Sequence, residues 1–425
     1  MSVVVNLNKL SGEQRDQINT ELVLEIETNN YNKFAKTERL YAFNLNEDNT
    51  VSLPFAYAIS SMNLSRSKRE IFSPRNIEFT GILREQQKDI FEEGKSKLSK
   101  HGYTMLSLPT GFGKTFLSIK LATVTKMKTL IIVNKIVLIN QWVESLKKVC
   151  PKASIQIVVK NDPLEQDCDF YIINAINVAK KSRHFFKDVG TLIVDECHMI
   201  MAECLSKCMQ FIYPRYLIGL SATPYRTDGM DPLIELYFGD DKIIKLLERK
   251  HIVYKVKTDF TPAFTLTKDG KVNWGSLLDS QSNDEERNEI IIQIVKKFKD
   301  RNILILSKRI EQGNFLYNRL KDENENVTSL IGKQQEFNHD ARILVGTTSK
   351  CGTGFDFPKL DCLILASDIQ QYYIQALGRV LRRPDVEPIV FDLVDENHIL
   401  RLHFESRVEV YKRIGGKIVN YNPRM

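Results

Sequence analysis

Two segments of this 425-residue chain carry residue types able to do chemistry together: Leu108-Pro109-Thr110-Gly111-Phe112-Gly113-Lys114-Thr115 and Asp195-Glu196-Cys197-His198. In the first, Gly111 and Gly113 lack a Cβ, so the chain can turn its N–H groups inward as a cradle for phosphate oxygens ahead of a helix N-terminus. Lys114 would then reach the outer phosphates, and the Thr115 hydroxyl could hold Mg2+. In the second, Asp195 would bind the same metal, while Glu196 would orient and deprotonate an attacking water. Together they imply ATP as the substrate and hydrolysis as the reaction. The common eight-residue phosphate-loop pattern has glycine where this chain has Leu108; a glycine turn before an ordinary helix is the alternative, and on pattern alone the phosphate cradle outweighs it.

These groups need a scaffold that presents them at one edge. Tyr103 to Leu108 reads as a buried parallel strand, Lys114 to Thr125 as the helix packed on it, and Thr191 to Val194 as an apolar strand that ends at Asp195. In open α/β sheets, ligands collect in the crevice beyond the carboxyl ends of such strands. Further strands are expected at Leu130 to Val133, Ser154 to Val159, Phe170 to Ile173 and Tyr216 to Leu220, then again at Asn302 to Leu306, Val327 to Ile331, Ile343 to Val345, Cys362 to Ala366 and Ile389 to Leu393. Alternation with helical stretches such as Ile310 to Leu320 and Tyr372 to Leu381 predicts an α/β fold of two tandem parallel-sheet lobes. The expected divisions are a small N-terminal accessory domain at 1–75, a first lobe at 76–228, a connection at 229–285 and a second lobe at 286–425. In the second lobe, Gln375, Arg379 and Arg382 fall on one apolar helix, and arginine forks toward phosphate oxygens, so the helix could complete an ATP site.

Composition narrows the class. A net charge of +7 is compatible with a polyanionic partner without establishing one. Seven cysteines without framework spacing suggest reduced intracellular thiols. Cys197, His198, Cys204 and Cys208 invite a zinc reading, but no paired CxxC supports it. No apolar run reaches membrane-spanning length and the amino terminus has no secretion pattern, so a soluble intracellular protein is expected, with no membrane partner. Trp142 could stack on a base, yet its place on a helix behind a strand favours the core.

The ordered set of motifs from about residue 80 to 385 resembles the superfamily-2 helicases with a DExH box, built from two RecA-like domains. Leu83-Arg84-Glu85-Gln86-Gln87 resembles their adenine-recognition motif, Leu108 to Thr115 a Walker A that does not demand the leading glycine, and Asp195 to His198 the Walker B box. Ser221-Ala222-Thr223 resembles the coupling motif, Gly346 to Asp356 the fifth motif, and Gln375 to Arg382 the QxxGRxxR motif. The phrasing Ser221 to Arg226 and the pair Gln141-Trp142 are similar to XPB-, RecG- and UvsW-type enzymes, and size and layout resemble helicases of large DNA viruses, including the poxvirus transcript-release type.

What the resemblance implies can be written residue by residue. Arg84, Gln87, Pro109 to Thr115, Gly354 and Asp356 would bind ATP. Lys114, Asp195, Glu196, Gln375, Arg379 and Arg382 would be catalytic, with Thr115 and Asp195 on Mg2+. His198, Ser221 and Thr223 would couple hydrolysis to movement. Strand contacts are expected from Asn134, Lys135, Asn174, Arg226, Ser307, Lys308 and Thr347. Asn134-Lys135 stand where many relatives carry Pro-Thr, Asn174 where a threonine is frequent, and Thr227 where XPB proteins have an acid. The implied activity is that of a monomeric DNA motor, 3′ to 5′, with RNA as the alternative polymer, serving viral transcription, replication or repair. The implied setting is the host cytoplasm, the virus factory or the virion.

Overall fold

The computed structural model describes residues 2–26, 38–159, 163, 165, 167–178, 180–181, 183–200, 212–222, 231–245, 248–268, 270–334, 336–351, 355, 357–370 and 373–422. They form two compact units, one comprising Met1–Leu108 and Phe112–Lys245, the other Pro109–Gly111 and Leu246–Met425.

In the first unit, β1 (Ser2–Asn6), β4 (Asn44–Leu45) and β5 (Thr50–Pro54) make an antiparallel sheet in the order β1-β5-β4, and β2 (Val23–Ile26) pairs with β3 (Glu38–Tyr41). The main sheet contains β6 (Tyr103–Ser107), β7 (Thr129–Val133), β8 (Ile155–Val158), β9 (Phe170–Asn174), β10 (Thr191–Val194), β11 (Tyr216–Ser221) and β12 (Ile243–Ile244). Its order is β12-β6-β11-β10-β7-β9-β8, and every pairing in it is parallel. The inner strands β6, β7, β9, β10 and β11 are buried almost throughout because both faces are covered, the pattern expected of a parallel sheet, whereas β8 and β12 at its edges each leave an isoleucine exposed. Leu130 and Ile132 point into one core, and Ile131 and Val133 into the other. Each fully buried aliphatic side chain of this kind stabilises the fold by about 1.5–3 kcal/mol.

Among the described residues, the segment 1–75 does not carry a core of its own. Val3, Leu22, Leu53, Phe55 and Ala58 share one apolar cluster with Met105, Leu130, Ile132, Leu192 and Leu217 of the main sheet, so it forms a layer of the first unit.

The second unit holds β13 (His251–Lys257), β14 (Ile303–Ser307), β15 (Val327–Leu330), β16 (Ile343–Thr347), β17 (Cys362–Leu365), β18 (Ile389–Val394) and β19 (Gly416–Tyr421), in the order β15-β16-β14-β17-β18-β13-β19, again all parallel. Two RecA-like α/β units are thus observed where two were expected. The stretch 229–285, expected as a connection, is divided between them. Helix Asp231–Phe238 and β12 extend the first unit, with Ile243 beside Leu106, while β13 lies inside the second sheet between β18 and β19. Gly270 N donates to the Thr267 carbonyl at 2.9 Å, closing a turn before helix Trp274–Asn283. No helix among the described residues is long and apolar enough to cross a membrane.

Candidate active site

The phosphate-loop candidate leaves β6, which is wholly buried, through Leu108, whose side chain is 0% exposed. That burial explains a leucine where the common pattern has glycine: the position belongs to the core. Gly111 and Gly113 have φ of 85° and 95°, the left-handed region that side chains other than glycine rarely adopt. A Cβ on Gly113 would come within 2.5 Å of Gln87 Nε2. Gln87 is 2% exposed and braces the loop from the side: its Nε2 donates to the Phe112 carbonyl at 2.7 Å and its Oε1 accepts from Arg84 N at 2.9 Å. Lys114 opens helix Lys114–Thr125, with Thr115 next to it, and its Nζ donates to the Leu108 carbonyl at 2.8 Å.

The acids arrive on β10, one strand away from β6 across β11. Asp195 continues the ladder through its N–H to Ile132 O at 2.9 Å, and is 8% exposed. Its Oδ1 accepts from Glu196 N at 3.0 Å and its Oδ2 accepts from Trp142 Nε1 at 2.8 Å. Burial pushes the Asp195 carboxyl up to about 6, the neighbouring Glu196 charge adds to the rise, and the Trp142 hydrogen bond and Lys114 charge oppose it. Glu196 has φ of 47°, a left-handed backbone on a residue with a long side chain, of the kind that clusters at functional sites. Its Oε2 is buried, accepts no hydrogen bond among the described residues, and lies 3.5 Å from His198 Nδ1. His198 Nδ1 also lies 2.8 Å from Ser221 Oγ, at the end of β11. The tetrad is therefore joined to the coupling-motif serine by one histidine.

The expected strand contacts of the first unit gather at the same sheet edge. Asn134 follows β7 and Asn174 ends β9, whose register pairs Val133 with Asn174. Asn174 Oδ1 accepts from Ile176 N at 3.1 Å, and Asn134 Oδ1 is buried without a donor among the described residues. Lys135 caps helix Ile136–Val149, on which Trp142 is 1% exposed, as core placement required. The hydrogen bond from Trp142 to Asp195 was not legible: nothing local connects residues 53 apart.

In the second unit, Ser307 and Thr347 end the paired strands β14 and β16, with Lys308 exposed beside them. Ser307 Oγ donates to Arg309 O at 3.1 Å, and Thr347 Oγ1 lies 3.2 Å from Ser349 Oγ. Gln375 and Arg379 lie on helix Tyr373–Val380, 4% and 5% exposed, and Arg382 follows it. Arg379 donates to the Phe355 carbonyl and its guanidinium sits 4.1 Å from the Phe355 ring centroid. Thr223, Arg226, Gly354 and Asp356, like Cys204 and Cys208 of the zinc reading, lie outside the described residues.

Comparison with known proteins decides the family. Residues 80–226 match the family described as "Type III restriction enzyme, res subunit". "Putative helicase 161L" of Invertebrate iridescent virus 6 is 40% identical over 447 residues, covering 99% of this chain and 100% of that protein. The chain belongs to the superfamily-2 helicases of large DNA viruses. The helicase is accordingly a nucleic-acid-dependent ATPase. It is also similar to "Transcript termination protein OPG145" of Monkeypox virus, 28% identical over 68% of this chain and 65% of that protein. Its fold is that of S. cerevisiae Dbp5, solved bound to RNA and ADP BeF3, at a TM-score of 0.55 and 14% identity over 79% of this chain and 89% of that one.

Proposed function

We propose that the helicase hydrolyses Mg2+-bound ATP at Leu108 to Thr115 and couples each turnover to a 3′ to 5′ step along DNA that separates its strands. The observation that carries this reading is the acid pair. Asp195 is desolvated and held by one donor on each oxygen, and Glu196 beside it keeps a buried oxygen with no hydrogen-bond donor among the described residues. A buried acid followed by a partly buried one suits a small hard cation, which prefers oxygen ligands, and the Thr115 hydroxyl supplies another. Bound there, Mg2+ would neutralise charge on the β- and γ-phosphates.

The residues then divide the work. Lys114 exchanges the Leu108 carbonyl for the outer phosphates. Glu196 accepts a proton from water as its oxygen bonds to the γ-phosphorus and the bond to the ADP oxygen breaks. Arg379 and Arg382 offset the charge spread over the transferring group, and Gln375 with His198 links the nucleotide to the polymer. Arg84 and Gln87 face adenine, Gln87 through the hydrogen-bonding capacity left after bracing the loop. Asn134, Lys135, Asn174, Ser307, Lys308 and Thr347 grip the strand backbone, where contacts position without reading sequence. A monomer working with viral transcription or replication proteins, in the host cytoplasm or virus factory, fits this reading.

The decisive assay measures ATP hydrolysis with single-stranded DNA, duplex DNA and RNA side by side, then strand displacement on whichever stimulates. Single-stranded DNA should stimulate most. Stimulation by RNA alone overturns the DNA assignment, and stimulation by duplex without displacement makes the protein a translocase that remodels rather than unwinds. Arg382→Ala should abolish turnover while ATP still binds; normal stimulated turnover would remove Arg382 from the site.

A further inference from the structure

Trp142 is fully buried on helix Ile136–Val149, packed in the cluster that holds Leu108, Ile131, Ile193 and Leu220. A phenylalanine or leucine would satisfy such a place without a polar atom. An indole brings one donor and no acceptor, and a buried donor needs a partner. Here the partner is Asp195 Oδ2, at 2.8 Å. The other oxygen is taken by Glu196 N at 3.0 Å, the bond made by the left-handed turn at Glu196. One donor on each oxygen fixes the rotation of the carboxylate plane and leaves each oxygen a further lone pair.

We propose that Trp142 is a positioning residue for hydrolysis: its indole N–H holds the Asp195 carboxylate in the orientation that receives nucleotide-bound Mg2+. This deepens the reading of Asp195 as the metal-facing acid and rests on it. The indole touches neither nucleotide nor water, and acts only through the carboxylate. A hydrogen bond to a charged group contributes enough that its loss should weaken metal binding and turnover by about tenfold or somewhat more.

The chain has two tryptophans, Trp142 and Trp274, which makes the inference directly observable. In a Trp274→Phe protein labelled with 15N, the single indole N–H resonance belongs to Trp142. It should be protected from solvent exchange, shift when Mg2+ is added with ADP more than with ADP alone, broaden when Mn2+ replaces Mg2+, and move in Asp195→Asn. Trp142→Phe keeps an aromatic ring, smaller than the indole, and removes the N–H. It should lower kcat and the Mn2+ affinity of the ADP complex about tenfold each, with the KM for ATP little changed, whereas the cavity left by the smaller ring lowers only the thermal midpoint. Unchanged kcat and Mn2+ affinity in a folded Trp142→Phe protein would overturn the proposal. Should that variant fail to fold, an indole resonance indifferent to both metal and Asp195→Asn overturns it instead. Asp195→Asn separates the two levels. If it retains full ATPase activity, the reading of the site fails; if it is inactive while Trp142→Phe behaves as the unaltered protein, only the role of Trp142 fails.

Discussion

Both units bury aspartates within or just after the strands of their main sheets, but they treat them differently. In the second unit Asp392, 0% exposed, accepts from Arg407 Nε and Nη2 at 2.8 Å each and from Tyr411 OH at 2.9 Å. Asp395 accepts from Arg287 Nε at 2.9 and 3.1 Å and from Thr258 Oγ1 at 2.6 Å. Asp368 is held by Arg407 Nη1 at 2.9 Å and His403 Nδ1 at 2.7 Å. Each of these acids has a cation in direct contact. Asp195 in the first unit has one neutral donor per oxygen and another acid as its chain neighbour. Buried charge that is saturated by its own chain is framework, whereas buried charge left short of cations is reserved for a ligand.

The largest effect expected from this contrast is catalytic. Glu196→Gln should cut ATP turnover about 10²- to 10⁴-fold while the protein stays folded and retains bound ATP. Single-turnover kinetics with nucleotide-retention measurements would show it, and unimpaired turnover would erase the distinction between the two kinds of acid. Next is Arg407→Ala, which strands Asp392 and Asp368 without their shared cation and should cost about 3–5 kcal/mol in denaturant unfolding. The KM for ATP of the folded fraction should not move. Asp195→Asn is the converse test. Because burial and Glu196 raise its pKa, the ionised acid works against folding above the ordinary aspartate range, so the variant should lose turnover yet keep or raise its melting temperature.

The smallest expected effect is on the acid limb of stability. Burial opposes ionisation of Asp368, but the His403 hydrogen bond and the Arg407 charge outweigh it and hold its pKa below the ordinary value. A depressed carboxylate contributes stability that is full above about pH 4 and is lost as pH falls through its folded pKa. Asp368→Asn should therefore flatten the loss of stability below that pH, measured by unfolding across an acid series. A steeper loss would place the protection elsewhere.

Continuous apolar runs made the inner strands legible, and Thr191–Val194 and helix Lys114–Thr125 lie where the pattern predicts them. β12 has two residues, too few for any period, and β13 reads His251-Ile252-Val253-Tyr254-Lys255-Val256-Lys257, where polar residues interrupt the run because only part of it is buried. The contiguous loop and tetrad were legible because their chemistry is local. Pairings across the sheet were not: the Trp142 donor for Asp195, the Phe355 carbonyl that takes Arg379, and the Arg287 partner of Asp395 all depend on which way a helix face points.

The antiparallel strands at the amino terminus carry a consequence for modularity. Because Val3, Leu53 and Phe55 close the same apolar core as Met105, Leu130 and Leu192, and Ser2 N donates to Ile212 O at 3.0 Å, this layer cannot be traded as an independent cassette. Removing it would bare part of one face of a parallel sheet to water, the rest staying covered by residues such as Phe186, Ile200, Leu233 and Phe238. Evolution could tune such a layer residue by residue, but recombination could not swap it without a replacement that fits the same face.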